Sequence, residues 1–254
     1  LGDVYKRQIK SQAHKAVWER AIMSGIALVT GVGPGTGRAI VECFASQGYT
    51  VAMIARSGQR LEEIAAATPN THGFVCDVAD EAQLTATLDD IRNNLGLPKV
   101  VVHNAVGAER GTYLEIEPQN MRAAFEVNTM ALLNLAKQLL PAMQAAGGGS
   151  LIATGNTSAY RGKARFAGFA PTKAAQRILL ESIAREAGPN GIHVAYVAID
   201  AVIDLAWTRE AFPDKEDDFF CQPADIAKEV LRVAEQPRSA WSFESVIRPY
   251  GEVW

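Results

Sequence analysis

The run Thr30-Gly31-Val32-Gly33-Pro34-Gly35-Thr36-Gly37-Arg38 constrains this chain more than any other feature. It follows an apolar stretch at 26–30 and opens a stretch of helical periodicity at 37–47. At the start of a helix the backbone amides lack intrahelical partners and carry partial positive charge, so they can hold a diphosphate. Glycines let the chain turn there and come close to the phosphates. The spacing is GxxxGxG rather than GxGxxG, and no Gly-Lys-Ser/Thr follows, so this is not a Walker loop. The plain alternative is a glycine-rich turn with no ligand; the strand-loop-helix context favours the phosphate.

The same alternation continues along the chain. Short apolar runs at 26–30, 49–55, 73–76, 100–103, 151–154 and 193–199 predict strands, bounded by Gly, Pro or Asp. Stretches at 37–47, 59–67, 81–94, 118–146 and 169–187 predict helices. Unbroken apolar strands alternating with helices imply an α/β fold, a doubly wound parallel sheet covered on both faces. Pro223 opens a further helix reaching about residue 235, and 242–247 predicts a last strand. No repeat or low-complexity linker divides the chain, so 23–254 reads as one domain. Residues 200–222 break the rhythm. They hold Trp207, Phe212, Phe219 and Phe220 among acids, and read as an insertion over one sheet edge, either a substrate lid or a cover for the core.

Composition removes several function classes. With 25 basic and 28 acidic residues the net charge is −3, which argues against a general nucleic-acid binder. Hydrophobic residues at 48% of 254 allow a sizeable core. Cys43, Cys76 and Cys221 are odd in number and lack CxxC spacing, which fits a reducing, cytoplasmic compartment without disulfides. No apolar run reaches the length of a membrane span. The four histidines are scattered without HExxH, so no metal site is expected, and no GxSxG elbow suggests a hydrolase. Residues 1–22 carry Lys6, Arg7, Lys10, Lys15 and Arg20 against Asp3 and Glu19, and read as an appendage outside the fold or an extra surface helix.

The second strand ends at Ala55-Arg56, about twenty residues past the glycines. An acid there would bind a ribose 2′-hydroxyl, whereas an arginine can pair with a 2′-phosphate. Arg38 and Arg60 lie near it in sequence. This favours NADP(H) over NAD(H), unless all three arginines are solvated surface charges.

Taken in order, Thr30-Gly31-x-x-x-Gly35-x-Gly37, Asp77-Val78, Asn104-Ala105, Asn128 and Lys173 resemble the short-chain dehydrogenase/reductase family over about residues 26–250. The resemblance implies a Rossmann-type sheet of about seven strands that binds NAD(P)(H). It implies that Asp77 contacts the adenine amino group, Val78 lines its pocket, and Asn104 and Ala105 pack along the cofactor. Lys173 would hydrogen-bond the nicotinamide ribose, with Asn128 supporting it through a water. A small carbonyl or alcohol substrate and a homodimer or homotetramer are implied as well.

The chain departs from the family pattern at several places. Its tyrosine, four residues before the lysine, is Phe169 here, and its serine, thirteen residues earlier, is Asn156. His103-Asn104-Ala105-Val106 stands where Asn-Asn-Ala-Gly is usual, and Ile199-Asp200 where Pro-Gly is usual. Carbonyl reduction needs a proton for the developing alkoxide, and phenylalanine has none to give; a general acid contributes about 10²–10⁴-fold in rate. Asn156 can still donate to a substrate oxygen. Tyr160 either swings its phenol toward Lys173 or packs on the sheet edge. Asp200 either pairs with Lys173 or takes part in proton transfer, or else bonds a loop amide; His103 has a pKa suited to proton transfer but reads rather as a core histidine. Two functions follow: an oxidoreductase with an atypical reaction centre, or a non-catalytic NADP(H)-binding sensor, scaffold or oligomer subunit. A non-redox enzyme reusing the pocket has no positive feature behind it.

Overall fold

Aliphatic, β-branched runs buried on both sides build the centre of the molecule. The computed structural model describes residues 25–251, so the expected appendage at 1–22 lies outside the described residues. Seven strands form one parallel sheet: β1 (Ile26–Thr30), β2 (Thr50–Ala55), β3 (Thr71–Val75), β4 (Val100–His103), β5 (Gly149–Gly155), β6 (Ile192–Ile199) and β9 (Glu244–Ile247). Their order is β3-β2-β1-β4-β5-β6-β9. The chain runs outward from β1 to β3, then returns to lay β4 on the other side of β1. That reversal opens a crevice at the carboxyl ends of β1 and β4, where ligands of such sheets bind.

Helices α1 (Thr36–Ser46), α2 (Gly58–Ala67), α3 (Glu81–Asn94), α4 (Pro118–Phe125), α5 (Ala131–Ala145), α6 (Ala170–Ala187) and α8 (Pro223–Ala234) link the strands. Alternate strand residues face opposite layers. Leu28 and Val101 pack with Leu84, Leu88 and Ile91 of α3, Leu132 and Leu139 of α5, and Leu180 of α6. Val29 and Val102 pack with Ile40 and Phe44 of α1, Leu61 of α2, and Ile226 and Val230 of α8. Each buried Leu, Ile or Phe contributes roughly 1.5–3 kcal/mol, so the two layers dominate stability. This is the expected Rossmann-type α/β fold, a parallel sheet flanked by helices on both faces. Among the described residues no helix is long and apolar enough to cross a membrane.

Three details differ from the sequence expectation. The helix expected over 118–146 is interrupted by a π-helical turn, Glu126–Met130, between α4 and α5. Asn128 in that turn is buried and spends its side chain on neighbouring chain segments, which a regular helical surface would not allow. The third strand begins at Thr71 rather than at 73, because an edge strand pairs on one side and tolerates exposed residues. Residues 200–222 contain β7 (Val202–Ile203), α7 (Ala206–Ala211) and β8 (Phe220–Cys221), with β7 and β8 paired apart from the main sheet. This strap reaches back over the glycine loop, where Leu205 packs on Gly35.

Candidate active site

The glycine loop sits at the carboxyl end of β1 and is shaped by close backbone contact. Gly31 has φ +70°, a conformation that favours glycine, and a β-carbon on it would overlap the backbone of Ala105. A β-carbon on Gly37 would lie 2.5 Å from the Gly31 carbonyl oxygen. Gly33 meets nothing, and Pro34 is exposed, so these two positions shape the turn without packing. The Gly33 amide bonds the Gly31 carbonyl at 2.9 Å, and the Gly33 carbonyl accepts from Arg38 at 3.0 Å.

Helix α1 begins with no side-chain cap and no acidic residue in its first turn. Its first residue, Thr36, has a buried hydroxyl without a hydrogen-bond partner. An uncapped helix start beside an orphaned hydroxyl is a cradle suited to phosphate oxygens. The residues present therefore fit a dinucleotide diphosphate. Leu205 packs directly against Gly35 at the edge of this cradle.

The strand ends around the loop are tied together. Asn104 donates to the Gly31 carbonyl at 2.9 Å and accepts from Thr154 Oγ1 at 2.9 Å. His103 is fully buried, 3.0 Å from Thr30 Oγ1 through Nδ1 and 3.0 Å from the Val127 carbonyl through Nε2. Burial, reinforced by the nearby Lys173 charge, lowers its pKa to about 4, so it is a neutral core histidine. Asp77 follows β3, accepting from the Ala79 amide at 3.1 Å, and Val78 beside it is buried. Arg56 is exposed at the end of β2, whereas Arg38 on α1 pairs with Glu42 at 2.7 Å. Arg60 is half-buried, its amide capped by Ser57.

Lys173 lies in the first turn of α6 and is 2% exposed. Its Nζ donates to the Thr154 carbonyl at 3.2 Å and to Gln176 Oε1. Burial lowers its pKa to about 7. Asn128 clamps both the amide and the carbonyl of Gly107, at 3.0 and 2.8 Å, and reaches Thr172 Oγ1 at 2.8 Å. Phe169 stands just before α6, 3% exposed, its ring 6.1 Å from that of Phe166.

The remaining candidates go elsewhere. Asn156 Oδ1 accepts from the Ser158 amide at 3.1 Å, and its backbone amide and carbonyl both bond the buried Tyr196 hydroxyl. Of the two arrangements open to Tyr160, the structure adopts the sheet edge. Its ring lies 5.3 Å from the Arg177 guanidinium. Burial and the nearby Glu244 carboxylate raise its phenol pKa, and the partners of Lys173 Nζ are Thr154 and Gln176 instead. Asp200 takes neither expected partner; it accepts from Thr157 Oγ1 at 2.6 Å and pairs with Arg248. Gln176, one turn after Lys173, is the residue that sequence reasoning missed. Its only cue was a glutamine three positions along on the lysine's own helix face.

Comparison with known proteins bears on the family and the fold. The family model described as short chain dehydrogenase matches residues 25–215. The chain belongs to the short-chain dehydrogenase family. A short-chain type dehydrogenase/reductase of Sinorhizobium fredii is 32% identical over 181 residues, 68% of this chain and 70% of that protein. The Escherichia coli 3-oxoacyl-[acyl-carrier-protein] reductase is 30% identical over 193 residues, covering 75% and 78%. A solved metagenomic short-chain oxidoreductase in complex with NADP is 27% identical, covers 89% of this chain and 97% of its own, and superposes with a TM-score of 0.76. This short-chain dehydrogenase thus shares an oxidoreductase family and a nucleotide-binding architecture with them.

Proposed function

We propose that this chain is an NADP(H)-preferring oxidoreductase, transferring hydride between the cofactor and a small carbonyl or alcohol, with an atypical reaction centre. The observation that carries this is the buried, unpartnered Thr36 hydroxyl at the uncapped start of α1. The amides of Gly35, Thr36 and Gly37 would hold the diphosphate, with Thr30, Gly31, Gly33 and Pro34 shaping the turn. Asp77 and Val78 would take the adenine, and Asn104 and Ala105 would line its path. Arg56, with Arg38 and Arg60, would meet a 2′-phosphate; the complex of a related protein with NADP supports that preference. When bound, the cofactor would donate hydride to a carbonyl or accept it from an alcohol.

Lys173 orients the nicotinamide ribose, and Asn156 presents a hydrogen bond to the substrate oxygen. Phe169 contributes an apolar wall where the family's tyrosine acts. A cleft of about 300 Å³ between the 158–167 loop and the first turn of α6, lined by Phe166 and Ala170 on either side of Phe169 in sequence, supports a substrate entrance there. The strap over 200–222, whose Leu205 packs on Gly35, would cover the other side as a lid. Exposed Phe125 and Ile178 support association into a homodimer or homotetramer, and three free cysteines a reducing, cytoplasmic setting.

A second reading, a non-catalytic NADP(H)-binding sensor, scaffold or oligomer subunit, draws on Phe169 and on a Tyr160 phenol committed to Glu244. Fluorescence titration with NADPH and NADH tests both readings, and failure to bind either overturns both. Screening NADPH oxidation against aldehydes, ketones and quinones separates them. Turnover that Lys173→Ala abolishes supports the enzyme; tight binding with no turnover supports the sensor.

A further inference from the structure

Gln176 is fully buried, and both ends of its amide are used. Oε1 accepts from Lys173 Nζ, and Nε2 donates to the Asn128 carbonyl at 2.8 Å. The amide thus stands between the lysine nitrogen and the π turn, the place where the resemblance led us to expect a water. We propose that Gln176 is a positioning residue: it fixes the Lys173 ammonium toward β5 and closes the lysine's inner side to proton exchange.

The chemistry follows from the group. A water in that place can accept a proton on one side and release another. A carboxamide accepts and donates hydrogen bonds but does not change protonation near neutral pH. Phe169, one helical turn before the lysine and accepting from its backbone amide, has no proton to give either. Lys173, where protonated, therefore donates a hydrogen bond to the cofactor's ribose, with no proton relay through its inner side. That consequence rests on the oxidoreductase reading; the positioning itself does not.

The surroundings of Lys173 are nearly free of competing charge. From β4 it faces His103, held by Thr30 and Val127 and neutral above about pH 4. From β5 it meets the Thr154 carbonyl, from the π turn the neutral Asn128 and Thr129, and from its own helix Phe169 and Gln176. A change at Gln176 thus acts on the lysine without another ionisable group to mask it.

The test is a lysine side-chain carbon NMR titration of the full chain without cofactor, with Lys173→Arg identifying the resonance. Gln176→Glu places a carboxylate beside Nζ and should raise the titration midpoint by about one pH unit or more. Gln176→Met keeps the volume, removes the acceptor, and should lower it. If Gln176→Met does not fold, Gln176→Glu alone decides. NADPH affinity should weaken about fivefold or more in Gln176→Met and recover in Gln176→Glu below the new midpoint. A lower melting temperature with unchanged midpoints would reduce Gln176 to a tie between α6 and the π turn and overturn the inference. Wild-type protein that binds no NADPH while the midpoints shift as expected would sink the oxidoreductase reading and leave the positioning intact.

Discussion

The Asn104 side-chain amide donates to the Gly31 carbonyl at 2.9 Å, so the end of β4 holds the first glycine of the loop after β1. Asn104 is held in turn by Thr154 of β5, whose carbonyl accepts from Lys173. The loop and the lysine are thereby joined by one short run of buried hydrogen bonds.

Gly31→Ala should break this unit. The new methyl meets the Ala105 backbone, and φ +70° strains any residue but glycine. We expect a loss of roughly 2 kcal/mol or more, read from the urea midpoint, together with loss of NADPH binding.

Phe169→Tyr restores a proton donor four residues before Lys173. If the reaction centre lacks only that donor, NADPH-dependent reduction of a responsive carbonyl should rise by about 10²–10⁴-fold, measured as initial rate at saturating cofactor. Unchanged rates would mean that the phenol does not reach the reacting oxygen.

Arg56→Asp exchanges the exposed cation after β2 for a carboxylate. An arginine–phosphate hydrogen bond is worth roughly 1.5–3 kcal/mol, so NADPH should bind about 10–100-fold more weakly. NADH affinity should hold or improve, because aspartate can accept from a ribose 2′-hydroxyl. Parallel titrations with the two cofactors read the ratio.

His103 should make stability fall in mild acid. Its native pKa is about 4 against an ordinary value of 6.5. Between those values the unfolded chain takes up a proton that the native protein refuses. The His103 contribution to stability is therefore full above about pH 6.5 and declines by about 1.4 kcal/mol per pH unit as the pH falls toward 4. Urea midpoints across that range should slope less steeply in His103→Gln, although its stability at neutral pH is lower.

Much of the architecture was legible along the chain. Strand and helix periods differ, and both layers of the core leave their pattern in runs such as Val100-Val101-Val102, buried on both faces. The glycine loop could be read because only glycine meets its close contacts, and Lys173 and Asn128 because they stand in family order. The π turn could not be read, since it arises where Asn128 meets Gly107 and Thr172 across a tertiary contact.

The order of residues along the chain determined the fold, the glycine loop after β1 and Phe169 four positions before Lys173. The tertiary structure alone decided their partners: Tyr160 to Glu244, Asp200 to Thr157 and Arg248, Gln176 to Lys173. Backbone periodicity is a local property of the chain, whereas a side-chain hydrogen bond depends on which distant segments the packed sheet brings within about 3 Å.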